Sequence, residues 1–182
     1  MANTNFRNSM MLVLKHEGGF QADKRDTGNS DDGHGNQGST MLGVTAKVWA
    51  SYTNSPAPIS VMKGLTHEMV LPLYKTEYWD RCKCSNLADG LDYSVADFAI
   101  NGGVSRASKT LQKLVKAKED GVIGIKTLEK VNAQDAKKLI KQYHDAREAF
   151  YKKAKGYKTY GKGWLKRNDD CLKESLKMSE GA

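Results

Sequence analysis

This sequence predicts a mainly α-helical fold, with a small β-hairpin or turn-rich loop after the first helix. Three observations carry that expectation. Apolar residues recur with the 3.6-residue period of a helix through most of the chain. No strong run of alternating apolar and polar residues marks an extended sheet. Residues 21–45, QADKRDTGNSDDGHGNQGSTMLGVT, are rich in the Gly, Asp, Asn and Ser that make turns.

The first helix is expected from about Asn5 to His16 or Glu17, because Phe6, Met10, Val13 and Leu14 form one apolar stripe. Gly18-Gly19 then stops it, supplying positive φ and room for close approach. A loop as long as 21–45 without its own helix is more often functional than not. Thr45 caps a short helix running through Trp49 to about Tyr52. SPAPIS is a turn, and Thr66-x-Glu68 opens a helix carrying Val70, Leu73, Tyr74 and Tyr78, with Pro72 in its first turns or at a kink. The next helix begins near Asp92 and stops at Asn101-Gly102-Gly103. Ser105 is the expected cap of a helix that turns Leu111, Leu114 and Val115 inward, and DGVIG (120–124) is a tight connection. Asp135 opens a long helix marked by Leu139, Ile140, Tyr143, Arg147 and Phe150.

A chain of 182 residues suffices for one domain, or for one domain with a small second lobe. At that size roughly 70% of the unfolded surface is buried, so no covalent staple is needed. Cys82, Cys84 and Cys171 are odd in number, which argues against a paired disulfide framework. The C-x-C at 82–84 lacks a second pair for zinc, and His16, His34, His67 and His144 make no ligand motif. No metal and no cofactor is implied. The polar start, MANTNFRNSM, precedes an apolar run too short for a signal peptide or a membrane span. The expectation is a monomer made in the cytoplasm, whose export needs another agent.

The formal net charge is +8, and much of it lies in one stretch. Between Glu148 and Asp169 stand Lys152, Lys153, Lys155, Lys158, Lys162, Lys166 and Arg167, with no acidic residue. Phe150, Tyr151, Tyr157, Tyr160 and Trp164 are interleaved with them. Such a stretch is either a solvated helix face followed by a basic loop or an attractor for a polyanion such as an anionic cell envelope. Nucleic acid is set aside because no recognition motif accompanies the charge.

Glu17 poses the sharpest question. At 100° per residue it projects only about 20° from Phe6, near the middle of the apolar face, at the negative end of a helix. Burial and that helix end both disfavour an ionised carboxylate. A carboxylic acid that keeps its proton is what donation to a glycosidic oxygen requires. Nine residues on, Asp26 begins a polar loop in which a carboxylate stays hydrated and ionised, and two such unlike carboxyls are the equipment of glycoside hydrolysis. Thr40 is a candidate to hold a water or the aspartate through its hydroxyl. The plainer readings are a Glu17–lysine ion pair, turn-forming aspartates, and threonines that only cap helices.

Several ordered motifs sharpen this. Glu17-Gly18-Gly19-Phe20 follows LKH; Asp26-Thr27-Gly28 makes D-x-G; and GSTMLGVT (38–45) makes G-x-T-x-x-G-[IV]-T. Tyr78-Trp79, DYSVADFAINGGVSRASKTLQKL (92–114), DGVIGIKTL (120–128) and GKGWLKR (161–167) follow in sequence. Together they resemble glycoside hydrolase family 108, the phage and prophage N-acetylmuramidases with a C-terminal peptidoglycan-binding segment.

The resemblance implies a lysozyme-like fold, with a catalytic lobe over 8–90 and a helical lobe over 91–168. It also implies cleavage of the β-1,4 bond between N-acetylmuramic acid and N-acetylglucosamine. Glu17 takes the position of the catalytic glutamate; Asp26 and Thr40 position or activate water, and Thr45, Trp79 and Asn101 contact substrate. The partner implied is peptidoglycan, and the biological setting a phage endolysin released from the host cytoplasm to the periplasm through a holin. The stretch after Gly28 is longer than in short-loop members, so Asp31 or Asp32 is an alternative second carboxylate. Two rival roles share the motifs: a lytic transglycosylase, and a non-catalytic murein-binding or secretion-accessory protein.

Overall fold

The computed structural model describes residues 2–181 and is mainly helical, with one two-stranded antiparallel hairpin. The chain divides into two units, Arg7–Tyr74 and Lys75–Ala182, the latter joined by Met1–Phe6.

In the first unit, helix α1 (Ala2–His16) buries Met10, Val13 and Leu14 as its periodicity predicts. It ends in a tight turn, the Glu17 N–H donating to the Leu14 carbonyl at 3.3 Å. Neither Gly18 nor Gly19 adopts positive φ, contrary to expectation, and a Cβ at either would meet nothing within 4 Å. The fold itself makes no demand for glycine there.

The long loop is organised by polar side chains until β1 (Thr40–Met41) and β2 (Val44–Thr45) form the hairpin. Leu42 and Gly43, at φ of 52° and 74°, make its two-residue turn, the geometry that matches strand twist. Gly38 has to be glycine because a Cβ would lie 2.5 Å from the Asn29 carbonyl carbon. Helix α2 (Ala46–Thr53) starts on Thr45, whose hydroxyl accepts the Val48 N–H, so the predicted cap is present. SPAPIS leads into a short α3 (Ile59–Lys63) instead of remaining a turn. Helix α4 (His67–Tyr74) carries Pro72 inside it and widens into a π turn at Lys75–Trp79. At Pro72 the missing N–H leaves the Glu68 carbonyl, four residues back in the first turn of α4, without its helical donor.

The second unit is built on α5 (Leu91–Gly102), buried at every position from Leu91 to Ala99. A helix buried all round is a core element, and α6 (Val104–Leu114), α8 (Ala136–Lys153) and α9 (Tyr157–Glu180) pack on it. Gly90 sits where a Cβ would meet the Ser175 carbonyl at 2.1 Å, which lets α9 approach the start of α5. Ser105 does not cap α6, which starts one residue before it on Gly103. Gln112 instead fixes the DGVIG turn, accepting from the Gly121 N–H and donating to the Asp120 carboxylate and Val122 carbonyl. A helix α7 (Ile125–Asn132), unmarked in the sequence pattern, follows, and Asp135 caps α8 as expected.

The expected basic loop is helix α9. Gly161 tolerates helix here because Tyr157 packs over it, leaving no space for a Cβ. Asp97 is fully buried between Arg147 and Arg167, at 2.6 and 2.8 Å, and ties α5, α8 and α9 together. Burial alone would raise the Asp97 carboxyl, but the two guanidinium groups outweigh it and hold it below the usual carboxylate range. All three cysteines are buried and free. Among the described residues, no helix is long and apolar enough to cross a membrane, and no three metal-capable side chains come together.

Candidate active site

Glu17 stands one residue past α1 and is half-buried, so it lies at the edge of the apolar face rather than in its middle. What sits beside it is the hairpin tip. A Cβ on Gly43 would fall 2.7 Å from the Glu17 Oε2 and 2.7 Å from the Tyr74 hydroxyl, so only glycine lets the three groups converge. The tip is held from two sides: the Leu42 N–H donates to the Gly18 carbonyl at 3.2 Å, and the Tyr74 hydroxyl donates to the Leu42 carbonyl at 2.8 Å. Leu42 accepts a left-handed backbone, a conformation that costs a non-glycine residue about 1 kcal/mol or more. Burial of its side chain and these two bonds hold it there.

Beyond Gly18 the chain runs alongside β1, Gln21 exchanging both backbone bonds with Thr40 at 2.9 and 2.8 Å. This register brings a chain of side chains into line. The Thr40 hydroxyl donates to the Asn29 Oδ1 at 2.8 Å; the Asn29 amide donates to the Gln21 Oε1 at 2.6 Å; the Gln21 amide donates to the Asp26 Oδ2 at 2.9 Å. Backbone partners decide both amide orientations. The Asn29 Nδ2 also donates to the Asp23 carbonyl, and the Gln21 Oε1 also accepts from the Asp23 N–H. Every donor in the relay therefore points toward Asp26. The other Asp26 oxygen accepts the Gly28 N–H at 2.9 Å, and the residue is exposed. Its carboxylate is thus solvent-accessible and oriented by two donors. Thr40, its proton committed to Asn29, presents lone pairs and so accepts from a water.

Thr45 is directly opposite Thr40 in the hairpin ladder, which puts both side chains on one face. Its methyl is 3.4 Å from where a Gly28 Cβ would be, beside Asp26. The fold thus gathers Asp26, Thr40 and Thr45 in the unit that carries Glu17.

The alternative aspartates differ in kind. Asp31 is exposed and accepts the Gly33 N–H, a turn-forming bond. Asp32 is 1% exposed, and four donors surround it: the backbone N–H groups of His34, Asn36 and Ala57 and the Asn36 amide. Burial would raise its carboxyl, but these bonds prevail and hold it far below the usual carboxylate range. Asp32 organises the loop.

Trp79 and Asn101 lie in the other unit. Trp79 is a core residue there, 1% exposed, edge-on to Phe6 and donating its indole N–H to Ser85 at 2.8 Å. It has no face to offer a sugar, which corrects its reading as a substrate contact. Asn101 is exposed, its amide oxygen accepting from the Tyr151 hydroxyl at 2.6 Å.

The basic stretch is likewise redistributed. Lys152 pairs with Glu148, Lys166 with Asp170, and Arg167 with the buried Asp97. Trp164 packs on Tyr151 and Tyr160, so most of the aromatic side chains there serve helix packing and Tyr160 is the one well exposed.

Sequence reading missed Gln21, Asn29, Gly43 and Tyr74. Amides and a helix tyrosine carry no motif of their own; only the D-x-G-N run and the glycine of the hairpin marked the place.

A half-buried Glu17 and an exposed Asp26 thus lie in one small hairpin unit, with the Thr40 hydroxyl linked to Asp26 through two amides, on a lysozyme-like fold. Residues 10–103 match the family described as glycosyl hydrolase 108, and residues 106–169 match one described as a predicted peptidoglycan domain. The chain belongs to glycoside hydrolase family 108. Among solved structures, that of Brucella abortus SagA is 32% identical, with 97% of this chain and 96% of that chain covered and a TM-score of 0.81. A search of curated proteins returned no match.

Proposed function

We propose that this glycoside hydrolase is an endo-N-acetylmuramidase, cleaving the β-1,4 bond between N-acetylmuramic acid and N-acetylglucosamine, and that it acts as a phage endolysin. The relay from Thr40 to Asp26, in the same unit as Glu17, carries the reading. Glu17 protonates the glycosidic oxygen as the bond to the muramic acid carbon breaks. A water held between the Asp26 carboxylate and the Thr40 hydroxyl attacks that carbon and gives its proton to Asp26. Direct attack of water inverts the anomeric centre. Gly18-Gly19, which the fold does not require, leave space beside the acid for the sugar chain.

On this reading the enzyme accumulates in the infected cytoplasm and reaches murein when a holin opens the inner membrane. Exposed lysines in the α8–α9 connection and the start of α9, such as Lys155, Lys158 and Lys162, then favour residence in the anionic envelope. The test is lysis of outer-membrane-permeabilised cells by wild type and Glu17→Gln, with mass spectrometry of the released muropeptides. Reducing muramic acid ends and an inactive variant are expected. Equal lysis by the variant sinks the role of Glu17, and anhydro-muramic ends would make the enzyme a lytic transglycosylase.

A further inference from the structure

Two adjoining cavities in the helical unit share Thr110 and Lys113. The first, about 410 Å³, is lined by Arg106, Lys109 and Lys113 of α6, with Glu119 its one acidic residue. The second, about 330 Å³, has an apolar floor of Leu114, Ala146, Ala149 and Phe150, with Lys153 at its edge.

The charge on this groove is concentrated on one helix face. Arg106, Lys109 and Lys113 fall within about 60° on one face of α6, and like charges at such spacing disfavour a helix. Among the described residues none of these three, nor Lys153, is in a salt bridge. Arg106 is also fixed in place. Its NH1 donates to the Gly102 carbonyl at 2.6 Å, and its guanidinium carbon lies 4.4 Å from the centre of the Phe150 ring. A guanidinium oriented in this way is prepared for a bidentate bond to a carboxylate, and the ring beneath it begins the apolar floor.

We infer that this groove binds the peptide stem of peptidoglycan, a short peptide that carries free carboxylates on successive residues beside alanine methyl groups. The inference rests on peptidoglycan being the substrate. Arg106 takes one carboxylate in its fork, Lys109 and Lys113 take the next, and the methyl groups settle against Ala146, Ala149 and Phe150. A bare phosphate polymer would satisfy the cations but has nothing for the floor. The groove thus selects peptide-bearing glycan over naked glycan.

The experiment uses the full chain with Arg106→Gln, Lys109→Gln and Lys113→Gln combined, checked for folding by circular dichroism and thermal melting. Isothermal titration with the free tripeptide L-alanyl-γ-D-glutamyl-diaminopimelate reads the groove directly. Hydrolysis of intact peptidoglycan and of amidase-stripped glycan strands reads its use. Expected are wild-type tripeptide binding weakened on the order of tenfold or more by the variant, the scale of one lost charge-assisted bond, and a similar fall in the intact-to-stripped ratio of kcat/KM. Arg106→Lys alone should restore only part of the binding. Tripeptide binding equal in wild type and variant overturns the proposal, as does a wall phosphate polymer that displaces the tripeptide and binds more tightly. A wild type inactive on both glycans overturns the hydrolase reading instead, because the titration still reports on the groove.

Discussion

Gln21 donates one amide hydrogen to Asp26 at 2.9 Å while its oxygen accepts from Asn29 at 2.6 Å. The pair converts a turn aspartate into one whose orientation is set from β1. Gln21→Ala should lower kcat roughly tenfold with little change in KM, because a misplaced base slows chemistry rather than binding. Gln21→Glu should move the acidic limb of the kcat/KM profile to higher pH, since a second negative charge beside Asp26 disfavours an ionised base. Asn29, 2% exposed, is also structural, and Asn29→Ala should cost about 1–3 kcal/mol in urea unfolding. A Gln21→Glu profile superimposable on wild type would remove the relay from the mechanism.

The glycines beside Glu17 divide into two kinds. Gly43→Ala places a Cβ within 2.7 Å of both Glu17 and Tyr74 at a φ of 74°, so activity and melting temperature should fall together. Gly18→Ala and Gly19→Ala meet no protein atom and need no positive φ. These two should melt at or slightly above the wild-type temperature, yet raise KM for glycan. Unchanged kinetics in both would show that the sugar chain does not pass over them.

Tyr74→Phe removes a side-chain donor to the Leu42 carbonyl and should cost about 1 kcal/mol. The hairpin tip then loosens beside Glu17, so kcat should fall more than stability accounts for. Comparing kcat at 10 °C and 30 °C with the fraction folded at each temperature separates the two effects.

The helical unit holds two buried groups with opposite pH signatures. Burial pushes the Asp92 carboxyl up to about 6 and the His144 imidazole down to about 4. The folded Asp92 binds a proton more tightly than the unfolded chain, so its contribution is complete below pH ~4 and is lost as pH rises through 6. His144 is the reverse: its contribution is complete above pH ~6.5 and is lost as pH falls through 4. Each is worth roughly 3 kcal/mol, and they nearly cancel between those limits. Unfolding free energy should therefore rise with pH across that window in Asp92→Asn and fall in His144→Gln. Parallel slopes in the two variants would refute the assignment.

Asp97→Asn leaves two guanidinium groups, one fully buried, without their shared anion. Loss of one partner from a buried ion network costs about 3–5 kcal/mol. Chemical denaturation should report that loss, whereas the exposed pair Arg81–Glu77 should contribute too little to measure when Glu77 becomes Gln.

Local chemistry in the sequence was enough for the helical class, the hairpin after α1, the caps at Thr45 and Asp135, and the placing of Glu17 at the end of α1. Each depends on periodicity, a turn residue, or a motif that survives without its neighbours. Helix α9 was not legible because YKTYGKGWLKR carries two glycines and weak helix propensity; packing of Tyr157 over Gly161 and the pairing of Arg167 with Asp97 override both. Trp79 belonged to a motif but went to the core, since nothing local distinguishes a buried indole from a sugar platform. The unlike settings of Asp26, Asp31 and Asp32 are likewise tertiary. Three loop aspartates look alike in one dimension, and only folding surrounds Asp32 with four donors, leaves Asp31 in a turn and aligns Gln21 and Asn29 on Asp26. Side-chain type is written in the chain, but the direction of a hydrogen bond is decided by what the fold brings within reach of it.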